Sequence, residues 1–198
     1  MARKSSRSLW TDKLRGGVPD RAGAKSPRPR PVAVAPVARG CRAIILGIDP
    51  SLRGTGLAVV DARGEPMRLL ASATVTPGPR LAAYECLGGI ADAVERMVKA
   101  HGVTQAAIEE TIFVQNFRTA QAMGASRGAA LSVLARLGVK VGEYAPKRIK
   151  LAVAGHGAAS KDQVGRMIRA NLGLGVALAP DEADAAAAAL CHAHTARG

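Results

Sequence analysis

Four carboxylates stand where side chains from distant parts of the chain can converge. Asp49 closes the apolar run Arg42–Ile48, Glu109 closes the run Val103–Glu109, and Asp181 and Asp184 open the last helical stretch. Strand ends and helix starts are the places from which side chains meet beyond a sheet's edge. Asp181 and Asp184 are three residues apart and share one helix face. Four carboxylates brought together repel one another unless cations sit between them. An oxygen-only set of ligands points to Mg²⁺ or Mn²⁺ rather than zinc. Two such ions about 4 Å apart can activate a water and stabilise the leaving oxygen in phosphodiester cleavage. Each residue alone has a simpler reading. Asp49 before Pro50 is ordinary turn chemistry, Glu109 beside Glu110 is a solvated strand end, and Asp181 is most simply a helix N-cap. Their joint placement carries the inference.

The elements that must position them follow from hydrophobic periodicity and from turn residues. Strands are expected at Arg42–Ile48, Thr55–Asp61 and Arg68–Val75, with the turn Asp49-Pro-Ser-Leu-Arg-Gly54 making the first two a hairpin. Pro77-Gly-Pro79 ends the third strand. Residues 80–101 place Leu81, Tyr84, Leu87, Ala91, Val94 and Val98 at helical spacing. A strand at Val103–Glu109, a helix over 116–137 and a strand at Val139–Tyr144 come next. Helices over 147–154, 161–171 and 181–196 complete the chain. The order β-β-β-α-β-α-β-α-α-α predicts an α/β domain, a mixed five-stranded sheet flanked by helices.

The chain has 198 residues, a net charge of +13 and only 3% aromatics, so its core must be mostly Ala, Val, Leu and Ile. That charge suits a polyanion, nucleic acid first. Residues 1–41 hold ten Lys or Arg against two Asp, and five Pro. Such a segment buries too little surface to offset its ordering entropy. It is expected to be a disordered basic extension, with residues 42–198 as the folded domain. Its composition, rich in Arg and Ser and poor in acids, is also that of a transit peptide. The extension accounts for +8 of the charge and the body for +5. Cys41, Cys86 and Cys191 form no C-x-x-C pair, which excludes a recognisable zinc site or disulfide framework and suggests a reducing, cytoplasmic setting. No apolar run is long enough to span a membrane.

Four blocks, in order, resemble the RuvC family of crossover (Holliday) junction endodeoxyribonucleases. Ile45-Leu-Gly-Ile-Asp49-Pro-Ser-Leu-Arg-Gly-Thr-Gly56 is similar to the family's opening strand and turn. Ala107-Ile-Glu109-Glu-Thr-Ile-Phe-Val-Gln-Asn116 resembles its second acidic block. Lys147-Arg-Ile-Lys150 through Gly157, followed by Lys161, resembles its basic helix and loop. Pro180-Asp181-Glu-Ala-Asp184, with the alanine-rich stretch ending at His192, resembles its closing helix. The resemblance spans residues 42–194 and none of the extension.

It implies an RNase H-like fold and a homodimer that nicks a four-way junction symmetrically in recombination and repair, leaving 5′-phosphate and 3′-hydroxyl ends. It puts Asp49, Glu109, Asp181 and Asp184 on metal-binding positions, for two Mg²⁺ ions with Mn²⁺ as substitute. It puts Lys150 and Lys161 at the scissile phosphate, where a lysine stabilises developing negative charge. Lys147, Arg148 and Arg118 join them as DNA contacts. It further implies a branch-migration partner of the RuvA–RuvB type and a nucleoid location.

Two departures stand out. Ser51 replaces the glycine usual after Asp-Pro. Three residues after the Glu, where the family has a junction-unstacking aromatic, stands Ile112, followed by Phe113; an apolar wedge could come from either. The competing functions are another RNase H-like nuclease with a different nucleic-acid substrate, a sugar kinase or other ATPase, and a noncatalytic DNA-binding protein. The ordered acidic set argues against the last two. On the helix over 116–137, Ala120, Gly124, Gly128 and Leu131 form a small-residue stripe that fits either a second copy or this chain's own sheet.

Overall fold

The computed structural model describes residues 41–110 and 116–196. The extension, apart from Cys41, and both wedge candidates, Ile112 and Phe113, lie outside the described residues. Strands β1 (Ile44–Asp49), β2 (Thr55–Asp61), β3 (Arg68–Val75), β4 (Gln105–Glu109) and β5 (Lys140–Tyr144) form one sheet in the order β3-β2-β1-β4-β5. The first three pair antiparallel, whereas β4 runs parallel to both β1 and β5. This is the mixed sheet expected from sequence, and each predicted strand and helix is present. The helices are α1 (Ala83–His101), α2 (Phe117–Arg136), α3 (Pro146–Ala154), α4 (Lys161–Leu172) and α5 (Pro180–Thr195).

Strand alternation sorts the core into two layers. Leu46, Ile48, Leu57, Val59, Ala106 and Ile108 face α1 and α2. Ile45, Ala58, Val60 and Ala107 face α5, with α3 and α4 packed beyond it. Cys41 belongs to that second layer: it is buried, and its N–H donates to the Ala193 carbonyl at 3.0 Å.

The α5 layer is unusually thin. A Cβ added to Gly47 of β1 would lie 1.9 Å from the Ala185 carbonyl oxygen, and one on Gly56 of β2 would lie 1.9 Å from that of Asp181. At Gly142 of β5 the same atom would meet the His192 ring at 2.5 Å. The five consecutive alanines Ala185–Ala189 complete the fit from the helix side, all of them buried. Helix and sheet meet backbone to backbone, which only glycine permits.

The small-residue stripe of α2 is divided: Leu131 packs against the core, whereas its two glycines do not. Gly124 and Gly128 are exposed, and a Cβ at either would meet nothing within 4 Å. The residues that α2 buries are Ser126, Ala130, Val133 and Leu134.

Candidate active site

Asp49 shares its face of β1 with Ile45 and Gly47, and Glu109 shares its face of β4 with Ala107, so both point to the α5 side. The last registered pair of β1 and β4 is Ile48↔Ile108. One step further along these parallel strands puts Asp49 beside Glu109. In β2 the partner of Asp49 is Gly56, the glycine on which Asp181 rests. The thin layer therefore brings the start of α5 directly over the strand ends. The Asp181 carboxylate sits over Gly54, where a Cβ would lie 3.0 Å from Oδ2.

Asp181 is not the helix cap. The N-cap is Ala179, with no side-chain capping bond, and Pro180 opens the helix. The carboxylate is left free of that duty. Two neighbouring acids take no part in the cluster: Glu110 is exposed, and Glu182 accepts a hydrogen bond from the Ser72 hydroxyl at 2.7 Å.

Asp49, Glu109, Lys150, Lys161 and Asp184 line one cavity of about 300 Å³, with Pro146, Ile149, Val164 and Ala187 as its apolar wall. The Ser160–Gln163 capping box starts α4 and sets Lys161 at its first position. From there the Lys161 ammonium donates to Asp184 at 2.9 Å. That bond and the Asp184 charge raise the lysine above its ordinary value.

Burial pushes the Asp49 carboxyl up to about 7, and the charges of Asp184, Glu109 and Asp181 push it the same way. Glu109 is raised by burial and by Asp184, against the opposing charges of Lys161 and Lys150. Carboxylates that hold one another's protons on in this way are a set short of positive charge. Among the described residues no three acidic, imidazole or thiol groups are drawn around one point closely enough to hold an ion as they stand. They line the cavity's walls, with Lys161 supplying the nearest positive charge. Donor chemistry and charge deficit fit hard divalent cations, which favour oxygen ligands and a flexible arrangement of carboxylates.

Of the other residues expected from sequence, Lys147 and Arg148 are exposed on α3, with the Arg148 guanidinium 5.3 Å from the Tyr144 ring centre. Arg118 is exposed in the first turn of α2, which Asn116 caps by accepting from the Arg118 and Thr119 N–H groups.

Sequence reasoning missed Arg127. Its guanidinium, largely buried, donates to the Glu109 carbonyl at 2.7 Å and pairs with Glu143. This fixes the end of β4 that carries the Glu109 side chain. It also missed the buried His192, which donates from Nε2 to Gln105 at 2.6 Å and accepts from the Tyr144 hydroxyl at 2.8 Å, tying α5 to β4 and β5. Burial lowers this histidine below its usual range, in keeping with a neutral ring. A basic residue ten positions into an otherwise apolar and small helix was the available signal for Arg127.

Known proteins resemble this chain in sequence and in fold. The sequence model of the family "Crossover junction endodeoxyribonuclease RuvC" matches residues 45–192. Proteins of that name from Halorhodospira halophila and Acinetobacter baylyi are 46% and 42% identical to the chain. Each match covers 76% of this chain, with 89% and 83% of the relatives covered in turn. The structure of T. thermophilus RuvC in complex with Holliday junction substrate superposes with a TM-score of 0.74 at 38% identity, covering 78% of this chain and 95% of that one.

Proposed function

The chain belongs to the RuvC family of crossover junction endodeoxyribonucleases, and on that premise we propose that it resolves four-way DNA junctions by paired, symmetric nicks. The sheet and its flanking helices are the family's RNase H-like fold, and the family's activity is metal-dependent hydrolysis of a phosphodiester. The reading is supported by three carboxylates from distant segments, Asp49, Glu109 and Asp184, that line one cavity with two lysines, and by Asp181 standing beside them over Gly54 at the end of a glycine-floored seam.

Asp49, Glu109, Asp181 and Asp184 would hold two Mg²⁺ ions, with Mn²⁺ as substitute. Bound there, the ions supply Lewis acidity toward the scissile phosphate and the water that attacks it. The protein's own part is positional and electrostatic. The seam fixes Asp181 and Asp184 relative to the strands, and Arg127 fixes Glu109. Lys150 and Lys161 offer positive charge to the phosphate, in a cavity whose apolar wall strengthens that interaction. With cations held by the carboxylates, Lys161 would be free to turn from Asp184 to a phosphate oxygen.

Symmetric nicks need two sites related by a two-fold axis, hence a homodimer. The open face of α2 at Gly124 and Gly128 is the surface best suited to a second copy. Gly124→Arg or Gly128→Glu should leave a folded monomer that nicks only one strand at a time. A dimer with normal paired nicks would place the interface elsewhere.

The basic extension adds sequence-independent affinity; deleting residues 1–40 should weaken binding to all DNA shapes and flatten the salt dependence while preference for junctions persists. Ile112 or Phe113 serves as the unstacking wedge, and a RuvA–RuvB-type branch-migration complex delivers the substrate on nucleoid DNA in the cytoplasm. Among the described residues no helix is long and apolar enough to cross a membrane.

The deciding experiment offers the protein and Mg²⁺ a panel of labelled four-way junction, flap, single strand and duplex. Paired nicks confined to the junction, sealed by ligase without further treatment, are expected. Equal cleavage of another structure would favour a different RNase H-like nuclease.

A further inference from the structure

The cavity of the carboxylates does not end at Lys161. Lys161, Val164 and Asp184 also line a second depression, of about 520 Å³, which has Ile168, Leu178 and Ala183 in its wall and Arg166 and Arg169 beside them. The same two arginines line a third depression, of about 430 Å³, that reaches Gly173 and Leu174. The three follow one another along α4.

The helix explains the layout. Val164, Ile168 and Leu172 form its buried stripe. Lys161 continues that stripe at the start of the helix, Arg169 stands at its flank, and Arg166 projects from the outward side. Gly165 lines the second depression, and a Cβ there would enter open space. From Lys161 to Gly173 the helix rises about 18 Å, which matches about five stacked nucleotides at roughly 3.4 Å each. Among the described residues Arg166 has no ion-pair partner. Arg169 donates one N–H to the Gly175 carbonyl at 3.2 Å, which fixes the guanidinium and leaves further donors for an anion.

We propose that this track seats the sugar–phosphate backbone of the cleaved strand on one side of the scissile phosphate, with Arg166 and Arg169 each pairing a backbone phosphate. The cationic side chains fit a polyanion, and the apolar wall fits deoxyribose. Continuity with the catalytic cavity selects the strand being cut rather than a separate acidic ligand. The inference rests on the nuclease reading of that cavity.

The test measures binding and nicking of four-way junctions in which single phosphates flanking the cut are replaced, one at a time, by neutral methylphosphonates. Wild type is compared with Arg166→Gln, Arg169→Gln and the double variant. Both positions are exposed and glutamine is a good helix former, and circular dichroism confirms folding. If loss of the Arg169 contact loosens the loop at Gly175, Arg166→Gln alone carries the test.

Neutral linkages within about five nucleotides on one side should weaken wild type, while Arg166→Gln should be insensitive to at least one of them. The double variant should lower the slope of log affinity against log salt by about 1.5–2. Losses that simply multiply at every position, or an unchanged salt slope, would overturn the track. A wild type that nicks no junction would overturn the nuclease reading instead.

Discussion

The two faces of the sheet are built to different tolerances. Under α1 and α2 lie Leu46, Ile48, Leu57, Val59 and Ile108, large side chains that can shift a little when a neighbour changes. Under α5 lie Gly47, Gly56, Ala58, Ala107 and Gly142 beside Ile45 and Val60, and at Gly47 and Gly56 there is nothing to shift because backbone meets backbone. Both faces bury an apolar core. The second adds proximity, and proximity is what carries Asp181 and Asp184 to Asp49 and Glu109. It also accumulates like charge, which the first face does not. The charged groups thus gather on one side of a sheet that is buried on both.

The largest effect should come from the acids themselves. Asp49→Asn, Glu109→Gln and Asp184→Asn should each cut cleavage to below a few per cent while junction binding survives, since the basic contacts remain. Activity well above that level in any one would remove it from the ligand set. Asp181→Asn should be milder, because a neutral oxygen can still serve as ligand.

Next comes the seam. Gly47→Ala must displace α5, so it should cost about 1–3 kcal/mol and, through a misplaced Asp184, lower cleavage by roughly 10-fold or more. Its neighbour on the other face, Ile48→Val, should cost about 0.5–1.5 kcal/mol and leave cleavage nearly unchanged. Urea melts and single-turnover rates measure both, and equal behaviour of the pair would erase the contrast between the faces.

The smallest of these effects links the faces. Arg127 reaches from α2 to the Glu109 carbonyl. Arg127→Ala should lower cleavage several-fold and raise the Mg²⁺ needed for half-maximal rate, with partial recovery in Arg127→Lys. Arg136→Ala on the same helix removes an exposed pair with Glu95, worth at most about 1 kcal/mol, and should change neither readout. A shared response would mean that Arg127 acts through helix stability alone.

Local signals explain why so much was readable in sequence. Pro77-Gly-Pro79 and the Asp49–Gly54 turn punctuate the elements, and the apolar runs that Asp49 and Glu109 close mark where their strands stop. What was not readable depends on contacts between distant segments. Gly47 and Gly56 look like ordinary strand and turn glycines until α5 is laid across them. Asp181 looks like a cap until the cap proves to be Ala179. Arg127 and the His192–Tyr144–Gln105 chain join residues far apart in sequence, so no spacing rule reveals them. The wedge candidates Ile112 and Phe113 lie outside the described residues.

The central claim is that the acidic cluster is destabilised until cations arrive, and melting curves test it directly. The Asp49 carboxyl, raised from 3.8 to about 7, binds its proton more tightly in the folded chain. Its contribution to stability is therefore fully present below about pH 4 and lost as pH rises through 7. Comparing wild type with Asp49→Asn isolates this group from others that titrate nearby, such as His192. Without divalent metal near pH 8, the variant should melt higher by about 2 °C or more, and the gap should shrink toward about pH 5. Adding Mg²⁺ or Mn²⁺ near pH 8 should raise the melting temperature of wild type and leave the variant almost unmoved. Equal melting of the two proteins near pH 8, with no response to metal in wild type, would contradict the account.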